Sequence, residues 1–174
     1  MEFMNREYIV VAFVNNEISV LNRITSAYLK RHINIDSLNV SESFVEGISR
    51  VVISAVTSSE TIERIINQLG NIIDVLQVDY YLHRELIYKE MAIYKISADI
   101  LLDKNDSDFI LNKSNSRIIE MGKEYLIMEK SGSRYELEKM KEKLERKKFL
   151  AGYSRSGNAI LHREPDKNLL FKVS

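Results

Sequence analysis

Apolar and polar positions divide the first half of the chain into six elements. Tyr8-Ile9-Val10-Val11-Ala12-Phe13-Val14 is a β-branched and aromatic run of strand length, closed by Asn15, Asn16 and Glu17, and it predicts a buried strand. From Ser19 the spacing changes. Val20, Leu21, Ile24, Ala27 and Tyr28 recur every three or four residues, with Asn22, Arg23, Lys30 and Arg31 on the other face, so an amphipathic helix is entered through a polar loop. Ile35 to Val40 and Ile48 to Val56 predict two strands, and Ser41, Glu42, Ser43 and Gly47 between them suit a hairpin. Thr57 and Glu60 have capping-box spacing ahead of Ile62, Ile65, Ile66, Leu69 and Ile72, which predict a second helix. Val75 to Leu82 sets Leu76, Val78, Tyr80 and Leu82 against Gln77 and Asp79, a strand alternation. The order is β-α-β-β-α-β.

The second half repeats most of that order less regularly. Met91 to Ser97 predicts a strand, and Ser116 to Gly122 with Lys123 to Lys130 a hairpin turning at Gly122-Lys123. Ser133 and Glu136 again have capping-box spacing, before Leu137, Met140 and Leu144 on one helical face. Phe149 to Ser154 and Ala159 to His162 predict the last strands. Between Asp99 and Asn115 the polar run Asp103 to Asp108 is poor helix composition and only Phe109-Ile110-Leu111 is apolar, so a short or irregular helix is expected. The fold class is therefore α+β, two tandem ferredoxin-like (βαββαβ) sandwiches, with domains at 1–83 and 84–174. Domains this small bury only about 60% of their unfolded surface, which favours dimerisation.

Composition narrows the chemistry. Of 174 residues, 45% are hydrophobic and 29% charged, which suits a packed soluble domain. No apolar stretch approaches the roughly 20 residues of a membrane helix, and Met1 to Glu7 lacks the form of a secretory signal, so a cytoplasmic location is expected. With 25 basic and 25 acidic residues there is no global attraction to polyanions, and with no Cys there is no thiol chemistry or Cys-ligated metal.

His32, His83 and His162 are scattered without metal-ligand spacing and are expected to be solvated or interfacial. Glu136 with Glu138, and Glu142 with Glu145, sit in a lysine-rich helix where i,i+4 pairing accounts for them. Ser154-Arg155-Ser156-Gly157 lacks the strand-to-helix context of a phosphate cradle and reads as a turn between strands. An RNA-binding sheet would need aromatics on its third strand, where Ser49 to Val56 offers only Arg50. One loop remains, Asn15 to Leu21, which joins a buried strand to a helix N-terminus. Free N–H groups and the helix dipole suit it to a carboxylate. A plain N-cap made by Ser19 or Asn16 accounts for it more simply, since most helices need a cap and few bind ligands.

At this loop the sequence resembles a known family. The segments Asn16 to Arg23, Arg31 to Leu38, Ser49-Arg50, Gln68-Leu69, Asp74-Val75-Leu76, Arg84-Glu85-Leu86, Met91 to Ile96 and Tyr153 to Gly157 are similar, in order, to the regulatory (small) subunits of acetolactate synthase, also called acetohydroxyacid synthase. The resemblance implies an N-terminal ACT domain and a C-terminal ferredoxin-like domain, with no catalytic residue and no metal or cofactor in this chain. Thiamine diphosphate, magnesium (Mg) and FAD would belong to the large catalytic subunit, whose activity in branched-chain amino-acid synthesis the small subunit raises and places under valine feedback. It further implies a homodimer through ACT domains. Asn16, Ser19 and Val20 of one protomer would meet the effector, and Asn34 and Ile35 would come from the facing one. The family has Gly where this chain has Ser19, so weakened valine feedback is expected. A stand-alone amino-acid-sensing ACT protein acting on another enzyme is the alternative.

Overall fold

The computed structural model describes residues 5–157 and 159–163, apart from the side chains of residues 111 and 112. Met1 to Met4, Asn158 and residues 164–174 lie outside the described residues. The reading of Met1 to Glu7 as no secretory signal therefore falls partly outside them, as do the ends of the 1–83 and 84–174 division. The chain forms two compact units, one running to Ile87 and including the segment from Ile160, the other Tyr88–Ala159.

In the first unit β1 (Arg6–Asn15), α1 (Val20–Leu29), β2 (Ser37–Glu42), β3 (Ile48–Thr57), α2 (Ser59–Gly70) and β4 (Val75–Tyr81) follow the order expected from periodicity. The sheet order is β2-β3-β1-β4 and all pairings are antiparallel. Both helices bury their apolar stripes on one sheet face: Val20, Ile24, Ala27 and Tyr28 from α1, and Ile62, Ile65 and Leu69 from α2, meet Val10, Ala12, Val14, Val51, Ile53 and Ala55. Arg31 at the end of α1 donates to the Gln68 side chain of α2 at 2.6 Å, which fixes the two helices together.

Three details differ from the pattern, each for a local reason. β2 begins at Ser37 rather than Ile35, because pairing with β3 starts with Ser37 opposite Ser54. Thr57 does not cap α2. It ends β3 opposite Arg6, and Ser58, with extended backbone, accepts from the Thr61 N–H at 3.2 Å. Leu76 leaves the core side of β4 and is 45% exposed, because the register with β1 shifts between Phe13 and Val14, pairing Gln77 and Val75 and skipping the residue between them.

The second unit holds most of β5 (Leu86–Ser97), then α3 (Lys104–Asp108), β6 (Arg117–Met121), β7 (Tyr125–Gly132), α4 (Arg134–Arg146) and β8 (Leu150–Arg155). The order across its sheet is β6-β7-β5-β8. The expected irregular helix is a 3₁₀ turn at Ala98–Leu101, the five residues of α3 and a π turn at Phe109–Lys113. Asp103 starts α3 by accepting from Asn105 and Asp106 N–H, both at 2.9 Å. The Ser133–Glu136 capping box forms as read. The Ser133 hydroxyl accepts from Glu136 N–H at 3.3 Å, and Glu136 Oε2 accepts from Ser133 N–H at 2.7 Å.

The last strand, β9 (Ala159–His162), pairs with β5. Its Ile160 and His162, with Leu86, lie over the second face of the first unit's sheet beside Val11, Phe13 and Tyr81. That cover explains why Tyr8 to Val14 is apolar without alternation: Ile9, Val11 and Phe13, which point away from the helices, are at most 9% exposed.

Candidate functional site

The loop between β1 and α1 is anchored on two sides by backbone. Asn15 N–H donates to Asp74 O at 2.9 Å, and Asn16 N–H donates to Gly47 O at 3.0 Å. Gly47 has φ +78°, the left-handed region, which the β2–β3 hairpin tip needs. Its carbonyl thereby holds the loop in place. A third tie is ionic. The Arg23 guanidinium pairs with the Asp74 carboxylate and also donates to Ser19 Oγ at 3.2 Å. From sequence Gly47 is read only as part of a hairpin and Arg23 only as a polar-face residue, and neither they nor Asp74 are tied to this loop. Arg23 and Asp74 do stand inside the segments that carried the family resemblance, which was the available signal.

Ser19 occupies the N-cap position of α1, yet no side chain caps the helix. The reading of Ser19 or Asn16 as an ordinary side-chain cap is therefore corrected: the Ser19 hydroxyl is taken by Arg23 instead. Its φ of −93° and ψ of −8° are open to any residue, so this loop conformation does not itself require glycine. An uncapped helix start leaves amide donors and the positive end of the dipole turned towards any ligand at the loop. Beside it lies a depression of about 390 Å³, lined by Asn16, Ile18 and Val20 of the loop, Val40 of β2 and Val51 of β3 among others. Ile18 is fully exposed at its rim.

Asn34 and Ile35 lie in the connection from α1 to β2, with Asn34 exposed and Ile35 half-buried. They line a different depression of about 330 Å³, together with Asn22, Ser26, Tyr28 and Ile33. Within one chain, then, Asn16 and Val20 share one hollow and Asn34 and Ile35 another, and Ser19 stands exposed at the start of α1. His32, beside this second hollow in sequence, is exposed and has φ +54°.

His83 is half-buried with Nε2 2.8 Å from Glu7 Oε2, and His162 is buried at 8% exposure with its ring centroid 4.9 Å from that of Tyr81. Of the two expected settings, solvated or interfacial, the solvated one is excluded for His162, which packs where the β9 segment lies against the sheet. In the same region Arg50 Nη2 donates to Ile160 O at 2.5 Å. Burial lowers the Arg50 pKa, and burial first, then Asp79 and Glu85, push the Tyr81 phenol up to about 12. Arg50 thus works as a strut for β9. No group of three or more His, Cys, Asp or Glu capable of holding a metal occurs among the described residues, and no described helix is long and apolar enough to cross a membrane.

The fold and the loop first define a class: an α+β chain whose leading βαββαβ unit is of the ACT regulatory type. Residues 11–77 match the family model described as "AHAS small subunit-like ACT domain", and residues 89–164 match "Small subunit of acetolactate synthase". The chain belongs to the family of acetolactate synthase small subunits. It is similar to the acetolactate synthase small subunit of Bacillus subtilis, with 35% identity over 51% of this chain and 52% of that protein, so the match spans about half of that relative. With the acetolactate synthase small subunit of Aquifex aeolicus it shares 26% identity over 91% of this chain and 82% of the other. The crystal structure of the acetolactate synthase small subunit from Thermotoga maritima superposes with a TM-score of 0.81 at 28% identity, covering 91% of this chain and 98% of that one.

Proposed function

We propose that this chain is a noncatalytic regulatory subunit that binds and activates the catalytic large subunit of acetolactate synthase in the cytoplasm, in the synthesis of valine, leucine and isoleucine. Residues 1–83 act as the ACT regulatory domain and 84–174 as the ferredoxin-like domain characteristic of these small subunits. The observation that carries the reading is the likeness to the Thermotoga small subunit over nearly the full length of both chains. Thiamine diphosphate, Mg and FAD act in the large subunit, and this chain supplies no catalytic group.

The effector is a branched-chain amino acid held between two ACT domains of a homodimer. Asn16, Ser19 and Val20 of one copy present the uncapped helix start to its carboxylate, and Asn34 and Ile35 of the facing copy close the other side. The separation of these two sets in a single chain supports a two-copy site. Binding shifts the large subunit by linkage, with a coupling of about 1 to 3 kcal/mol. Ser19 weakens valine feedback through its Cβ and its Arg23-held hydroxyl, since its backbone is unstrained.

Co-expression with the large subunit tests the assembly. The two chains are expected to elute together on size exclusion; separate elution at micromolar concentration contradicts the reading.

A further inference from the structure

In the second unit, lysines from three elements converge on one cleft. Lys130 comes from β7, Lys139 and Lys143 from successive turns of α4, and Lys113, which pairs with Asp108 at 2.5 Å, from the π turn; Phe109 and Met140 supply the apolar part of a hollow of about 300 Å³. A lysine-rich helix is ordinarily a solvated face, and the far side of α4 fits that description: Lys141 lies 3.6 Å from both Glu138 and Glu145. The cleft side differs in three respects. Lys139 and Lys143 have no carboxylate at ion-pair distance among the described residues, while Lys143 Nζ stands 3.0 Å over the Phe109 ring centroid. The one acid in the lining, Glu136, is committed to the Ser133 N–H and hydroxyl, at 2.7 and 2.9 Å. Lys130 Nζ donates to Ser114 O at the cleft wall, which keeps that ammonium in place.

We propose that this cleft is an anion site for a small phosphate-bearing molecule, with Lys130, Lys139 and Lys143 contacting the phosphate oxygens. Ammonium groups on separate elements surround a multiply charged tetrahedral group better than they match one planar carboxylate, which favours the flat fork of arginine. The hollow has the size of a small-ligand site rather than of a protein interface. Desolvation first, and after it the Lys147 charge, lowers the Lys143 pKa, with Asp106 acting in the opposite direction. The cleft's lining residues all belong to the second unit, whereas Asn16, Ser19, Val20, Asn34 and Ile35 belong to the first.

Isothermal titration of the full chain with pyrophosphate, and with inorganic phosphate as the weaker homologue, tests the site. Saturable binding is expected, weakened about tenfold or more in Lys139→Ala/Lys143→Ala and falling with added salt. Lys104→Ala/Lys123→Ala, which removes two exposed lysines outside the cleft, is expected to bind like the parent. Lys143→Arg, which keeps the charge, retains most of the affinity, and unchanged circular dichroism verifies that each variant folds. Absence of saturation up to about 10 mM pyrophosphate overturns the proposal, as does equal weakening by both double variants or tighter binding of citrate or of a glutamate-rich peptide.

Discussion

Ser19, with its ordinary φ and ψ and its hydroxyl shared with Arg23, adds bulk and an occupied polar group where an amino-acid carboxylate would approach α1. Ser19→Gly is therefore expected to tighten valine binding by up to about tenfold, within the 1 to 3 kcal/mol that small pocket changes are worth. Calorimetry showing the same affinity in both chains would remove Ser19 from the explanation. Tyr28 makes a different point. It is 1% exposed, its hydroxyl has no hydrogen-bond partner among the described residues, and burial pushes its pKa upward. An unpaired buried hydroxyl costs stability, so Tyr28→Phe is expected to leave the protein as stable or more stable by about 1 kcal/mol in urea unfolding. Arg155 and Glu90 form the opposite case, a pair at 2.6 Å in which the Glu90 side chain is 3% exposed. Arg155→Ala strands that carboxylate and is expected to cost about 3 kcal/mol or more. A loss below about 1 kcal/mol would show that water reaches it.

Among the elements, α4 has the most explicit start signal. Its capping box joins Ser133 and Glu136, and those hydrogen bonds from Ser133 lower the Glu136 pKa. A depressed folded-state pKa contributes stability that is present above the unfolded value of about 4.3 and is lost as pH falls through the folded one. Ser133→Ala is expected to cost about 1 kcal/mol at neutral pH. Glu136→Gln should flatten the acid limb of the stability curve between about pH 5 and 3, and an unchanged limb would show that Glu136 contributes nothing to it. Signals of this local kind made most of the fold readable: helical spacing in α1, α2 and α4, strand composition in β1 and β3, and the turn at Gly122. What escaped depended on partners distant in sequence. The β-bulge that turns Leu76 outward is set by β1, more than sixty residues earlier. The burial of His162 and the strut role of Arg50 depend on a return strand of four residues, 110 positions from Arg50. Two anchors of the candidate loop were hidden for the same reason, since Gly47 and the Asp74 main chain act on it through backbone carbonyls that no side-chain motif records, whereas the Arg23–Asp74 ion pair joins side chains within the family-like segments.

At the scale of the molecule, two small units share 174 residues, and the proposed effector site needs two copies of the chain. Stability should then rise with protein concentration, because a dimer-coupled fold gains from mass action. In the proposed function this chain works by changing the rate of another, a reading supported by the family assignment and by the split of Asn16 and Val20 from Asn34 and Ile35. The direct measurement is the rate of acetolactate formation by the isolated large subunit as this chain is titrated in at saturating pyruvate. A saturable increase of about tenfold is expected, equivalent to roughly 1.4 kcal/mol of coupling, with little inhibition by valine. A rate that stays flat at every ratio of the two chains would contradict it.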